Sequence, residues 1–169
     1  MPTTIYSFSS ASGSSWSNAS YATRDDSNRA SYAANANSNI SELIASGNFY
    51  TESGTNIVDG TNIKITKVEI GLKGYVSGAN CYVDSELRLP DGSTWVLGER
   101  LSATSETTVW KDLTSSYSWT ASNIDDVQAR CSGKNNNTKN GRTVYVNCFL
   151  VRITWEYEVK YTPSGSTSF

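Results

Sequence analysis

From Ile63 onward, apolar and polar positions alternate with a period of two, the mark of strands that bury one face and wet the other. Val68, Ile70 and Leu72 alternate with Lys67, Glu69 and Lys73, while Ile63 and Ile65 fall on the opposite parity. That change of parity predicts a bulge near Thr66. Cys81, Val83, Leu87 and Leu89 form the next apolar face, opposed by Tyr82, Asp84, Glu86 and Arg88. Pro90-Asp91-Gly92-Ser93 predicts a tight turn, because Pro presets φ and Gly accepts a positive φ. Residues 94–97 then return as the second arm of a hairpin. Shorter strands are expected at 107–110, 117–119 and 127–131, and the polar stretch 132–141 reads as a loop. The longest strand is expected at 143–159, with Phe149, Val151, Ile153, Trp155 and Tyr157 on one face and Arg152, Thr154, Glu156 and Glu158 on the other.

Helix signals are poor. Residues 41–46 and 122–126 each offer a turn, and neither reaches the roughly 12 residues of a mean helix. Several short strands separated by turn signals predict an all-β fold, an antiparallel β-sandwich of jelly-roll type occupying residues 14–160. Residues 1–39 are rich in Ser, Ala and Asn, interrupted by Tyr6, Phe8, Trp16, Tyr21 and Tyr32. A flexible linker has no use for these rings. Residues 1–13 are therefore expected to be an extended arm that adds as a strand or docks through Ile5, Tyr6 and Phe8 on a neighbouring subunit. Residues 161–169 are expected to be a flexible tail.

Composition narrows the chemistry. The chain has 169 residues, 60 of them Ser, Thr or Asn, and it contains no histidine. Ser-His-Asp and Cys-His nucleophiles and His-ligated zinc or iron are thereby excluded. Carboxylate-pair hydrolysis and calcium binding survive, since they need only Asp and Glu. A net charge of −2 gives no electrostatic case for nucleic acid or an anionic membrane. No apolar run approaches the ~20 residues of a membrane span, and the first residues lack a signal-peptide pattern. An exterior-like composition behind a cytoplasmic-like start leads to the expectation of a protein assembled in a cell and released on a particle.

Candidate sites are few. Asp25-Asp26 and Asp125-Asp126 are the adjacent acidic pairs, candidates for calcium that lack the spaced pattern of a dedicated loop and serve equally well as turn residues. Sixteen acidic residues make some glycosidase-like spacing inevitable, so the count points to no active site, and no cofactor is expected. Trp95, Trp110 and Tyr117 lie near predicted turns and are candidates for stacking on a glycan or a partner, the alternative being that they fill space between sheets. Cys81, Cys131 and Cys148 cannot all pair within one chain and show no CxxC spacing. They are expected as buried thiols, with Cys131 and Cys148 candidate neighbours across a hairpin.

The order of landmarks resembles the jelly-roll β-sandwich modules that recur in tailed-phage virion proteins and in some microbial surface proteins. The resemblance rests on Trp16-Ser17-Asn18, Tyr32-Ala33, Ser41-Glu42-Leu43-Ile44 and Gly47-Asn48-Phe49. It continues through Ile63 with Val68 to Leu72, Trp119-Thr120 before Ile124-Asp125-Asp126-Val127, and the closing strand Val146 to Tyr157. It spans about residues 14 to 159. Two places depart from the pattern: the approach Gly54 to Gly60 lacks the usual Ile-Pro or Gly-Ala-x-Ile, and Asn147 stands where an Asp is usual. The resemblance implies no catalytic residues. It implies a non-enzymatic virion structural protein of a phage or archaeal virus, a capsid decoration or a fibre or tail component, acting as a homo-oligomer docked on other virion proteins. The alternatives are a carbohydrate-binding or adhesin module and a subunit of an extracellular strand-exchanged filament.

Overall fold

The alternating segments do pair as strands, and the computed structural model describes residues 1–159 of them. In chain order the strands are β1 (Thr3–Ser12), β2 (Ala30–Ala34), β3 (Ser38–Ser53), β4 (Ile63–Val76), β5 (Cys81–Arg88), β6 (Trp95–Leu101), β7 (Thr107–Asp112), β8 (Gln128–Asn135) and β9 (Arg142–Tyr157). Every ladder among them is antiparallel. The hydrogen-bonded order is β6-β5-β8-β3-β1-β9-β4-β7, with β2 also on β9. β6, β5, β8 and β3 form one layer of a sandwich, and β2, β9, β4 and β7 form the other. β1 joins them, pairing with β9 through Thr3 to Tyr6 and with β3 through Ile5 to Ser12.

The expected bulge is present: the β4–β9 register shifts between Ile65 and Lys67. The turn after β5 also forms as expected. Leu89 N–H donates to the Thr94 carbonyl (2.7 Å), and Gly92 takes φ = 80°. The Thr94 hydroxyl, with the Ser93 and Thr94 N–H groups, bonds the Asp91 carboxylate and holds its pKa down at about 2.

Three expectations are corrected. Residues 1–13 are not an arm, because β1 is an interior strand of this chain's own sandwich. Tyr6 and Phe8 are fully buried, and Ile5 pairs with both Ser53 and Arg152. Tyr6 earns this place with its hydroxyl, which accepts the Ile57 N–H (2.7 Å) and donates to Asn56 Oδ1 (2.9 Å). Residues 41–46 are not a turn but the middle of β3, and 117–119 form no strand. The tail expected at 161–169 lies outside the described residues.

The core between the layers is apolar, built from residues such as Leu43, Ile70, Leu87, Phe149 and Ile153, none of them exposed. The buried Asn135 orders the loop behind it: its amide donates to the Ala34, Asn35 and Asn140 carbonyls, and its Oδ1 accepts the Asn137 N–H. All three cysteines are buried and free. Cys131 lies on β8 and Cys148 on β9, strands that do not pair with each other. Burial pushes all three thiols above their ordinary pKa, which removes the thiolate needed for reactivity.

Candidate functional site

A sandwich offers ligands two outer sheet faces, and here one of them is closed. On β4, the outward positions Glu69, Gly71 and Lys73 stand opposite Arg152, Leu150 and Cys148 of β9. Trp110 of β7 pairs with Gly71, and its ring lies so near that a Cβ on Gly71 would come within 2.6 Å of it. The Arg152 guanidinium sits 4.0 Å from the ring centroid and makes two hydrogen bonds to Glu69, of 2.7 and 2.9 Å. Those bonds hold the Glu69 carboxyl below the usual range, against the opposing effect of burial. Beyond them, residues 23–29 cross the same face. Asp25 binds Lys73 (2.7 Å), the Asp26 carbonyl accepts from Asn147, and Arg29 binds Glu106 (2.5 Å).

Among the described residues, none covers the outer face of β6, β5, β8 and β3. Its rows follow from the registers: Trp95–Arg88–Gln128, Leu97–Glu86–Arg130–Ile44, Arg100–Asp84–Ser132, and Tyr82–Lys134–Asn39. Arg130 binds Glu86 (3.1 Å) and Glu42 (3.3 Å) and lies 3.8 Å from the centre of the Trp95 ring. Arg100 makes two bonds to Asp84 (2.8 and 3.0 Å) and lies 3.7 Å from the centre of the Tyr82 ring. Each arginine therefore bridges an aromatic ring and a carboxylate. Two ridges result, and the short side chain of Ser132 leaves a dip between them. The hollow over this dip measures about 520 Å³ and is bordered by Asn39, Tyr82, Asp84, Glu86, Leu97 and Lys134. A second hollow, of about 490 Å³, adjoins it across Tyr82 and Arg100.

This surface can accept and donate hydrogen bonds along its length while presenting aromatic edges and the 59%-exposed Leu97. Such a mixture suits a polyhydroxylated ligand. Asp84 and Glu86 project from the same face of β5, and each is bound to an arginine. Neither stands free to exchange a proton with a substrate.

The sequence-named candidates do not converge. Trp95 belongs to the open face, with one side of its ring taken by Arg130. Trp110 belongs to the covered face, and Tyr117 packs on Trp119 (5.5 Å) in the connection between β7 and β8. The two aspartate pairs lie apart. Asp25 is engaged by Lys73, and Asp26 accepts the Asn28 N–H. Asp125 is half-buried, and its pKa is raised chiefly by desolvation and further by Asp126 and Asp59. No group of three His, Cys, Asp or Glu is placed to hold a metal among the described residues. Apart from Trp95, the residues that build the open face were visible in sequence chiefly as the wet side of 82–88. The chain does not reveal that β8 lies beside it.

The sequence matches no protein-family model and no curated protein. Among solved structures it is similar to the N-terminal cellulose-binding domain of β-1,4-glucanase C from Cellulomonas fimi, with 12% identity, 93% of this chain and 90% of that chain covered, and a TM-score of 0.38.

Proposed function

We propose that this chain is a non-catalytic binding module that holds a carbohydrate chain across the outer face of β6, β5, β8 and β3. The observation that supports the reading is the pair of arginine-braced ridges flanking the Ser132 dip, on the sheet face that no described residue covers. Preorganised side chains cost little entropy when a ligand arrives, so a shallow site of this kind can still bind. Glycan-array binding followed by titration calorimetry tests it. Asp84→Ala and Tyr82→Ala should weaken binding about tenfold or more while leaving the fold intact. Array-wide silence, or variants that bind like the parent, would remove the reading.

The virion-building role is a second reading. It is favoured by the edges of β6 and β7, each of which is hydrogen-bonded along one side only among the described residues. Strand addition there can join copies or seat the chain on other virion proteins. Ordered polymer in negative-stain images of concentrated protein supports this role, and monomer at every concentration opposes self-assembly.

A further inference from the structure

We propose that Arg88 forms an oxyanion-accepting subsite at one end of this face, so that the carbohydrate it takes is an acidic one, carrying carboxylate or sulfate groups. The inference rests on the carbohydrate reading above and adds the ligand's charge. Among the described residues the other arginines all have acceptors. Arg24 donates to the Phe8 and Thr23 carbonyls, and Arg142 donates to those of Ala79 and Gly141. Arg29, Arg100, Arg130 and Arg152 bind carboxylates. Arg88 differs: no acceptor among the described residues meets its guanidinium, and while its Nε is shut off from solvent, its two terminal Nη groups are not.

An oxyanion reaches only what solvent reaches, so contact falls to the two terminal Nη groups, whose donors no other residue takes up among the described residues. Arg88 occupies an outward position of β5, in the row formed with Trp95 of β6 and Gln128 of β8. An acceptor arriving on this row meets a guanidinium, an amide and an indole together. In the adjacent row, Glu86 is already engaged by Arg130, as is Glu42 from β3. The protein's own carboxylates there are thus committed to another arginine. A guanidinium binds carboxylates and tetrahedral oxyanions alike through paired N–H donors. Arg88 lies four residues along β5 from Asp84, or about 13 Å at strand rise. A chain that runs on from the Ser132 dip along β5 therefore reaches it.

The probes are alginate oligosaccharides for carboxylate, dextran sulfate for sulfate, and dextran and laminarin as neutral polymers. They are titrated into the full chain and into the Arg88→Gln and Arg88→Lys variants. The expected result is binding of one or both acidic probes, a loss of about tenfold or more in Arg88→Gln, and partial recovery in Arg88→Lys. The difference between alginate and dextran sulfate identifies the oxyanion. An acid preference that survives in Arg88→Gln overturns the subsite. If Asp84→Ala abolishes binding that is equally strong for neutral and acidic probes, the carbohydrate reading stands and the subsite fails.

Should no polymer bind, melting curves in glucuronate and in sodium sulfate, matched to chloride at equal ionic strength, decide the matter separately. A stabilisation present in the parent and absent in Arg88→Gln supports the subsite, and its absence in both, or equal size in both, overturns it.

Discussion

On the outer face of β4 and β9, Leu150 and Cys148 are 3% and 0% exposed, although both lie opposite outward positions of β4. On the outer face of β5 and β8 no outward residue from Tyr82 to Arg88 or from Gln128 to Lys134 is buried. The same alternation, polar out and apolar in, thus has two outcomes in one sandwich. On the first face, Trp110, Arg152 and residues 23–29 convert the outside of a sheet into a second, smaller core. On the second, ion pairs between neighbouring strands hold the side chains upright and keep the surface wet. Burial on one face supplies stability that the wet ion pairs of the other do not.

The largest contrast should come from truncating one leucine on each face. Leu150→Ala removes a buried side chain and should cost about 2–5 kcal/mol. Leu97→Ala, at 59% exposure, should stay within about 0.5 kcal/mol. Urea denaturation of the two variants measures both. Equal losses would mean that the faces are not built differently.

How much of this was legible depended on which residues filled the inward positions. β4, β5 and β9 carry Val, Ile, Leu and Phe inward, so their alternation was plain, and the parity change at Thr66 even located the bulge. β1 buries Thr4 and Ser7 along with its aromatics. The Thr4 hydroxyl donates to the Thr55 carbonyl (2.5 Å) and accepts from Trp155 Nε1 (3.0 Å), and Ser7 donates to Glu52. Those partners are distant in sequence, so the segment reads as a polar arm when it is a core strand. β3 is broken by a register shift between Ile40 and Leu43, which leaves 41–46 with a helix-like spacing. Residues 117–119 alternate like a strand, but Trp119 instead fills a loop, donating from Nε1 to the Leu113 carbonyl (3.1 Å). For the open face, the sequence supplied Tyr82 to Arg88 as a wet side. Arg130, Ser132 and Lys134, which turn that side into ridges and a dip, come from a strand more than forty residues away.

The ion pairs offer the next contrast. Glu69→Gln on the covered face should cost about 1–3 kcal/mol at pH 7, because Arg152 loses a charged, largely buried acceptor. Glu86→Gln on the open face should cost less than about 1 kcal/mol, as half-exposed pairs do. The Glu69 effect also has a pH signature. Its folded-state pKa is lowered, first by the Arg152 hydrogen bonds, so the stabilisation is full above the unfolded glutamate value of about 4.3. As pH falls through the lower folded value, the advantage of the parent over Glu69→Gln should vanish. Denaturation midpoints at pH 7, 5 and 3 check this. A gap that fails to narrow as the pH is lowered until the carboxylates are protonated would show that the variant is destabilised through packing rather than charge.

The smallest effect concerns how the covered face is kept covered. The Lys73–Asp25 pair fastens residues 23–29 to β4, with its two side chains 26% and 37% exposed. Surface pairs of this kind contribute little to global stability, so Lys73→Ala should shift the denaturation midpoint barely at all. It should instead favour local opening of the segment beside Cys148, which Thr23 bridges on β9. Cys148 and Cys131 are both fully buried, but Cys131 faces the inter-layer core. Thiol labelling by a disulfide reagent in native buffer should therefore accelerate at Cys148 in Lys73→Ala, and in the parent at high salt, while Cys131 keeps its protection. Acceleration at both thiols would report global unfolding. Acceleration at neither would mean that Asn147, Arg24 and Arg29 hold the segment without the pair, and that the cover is part of the core rather than a flap laid on it.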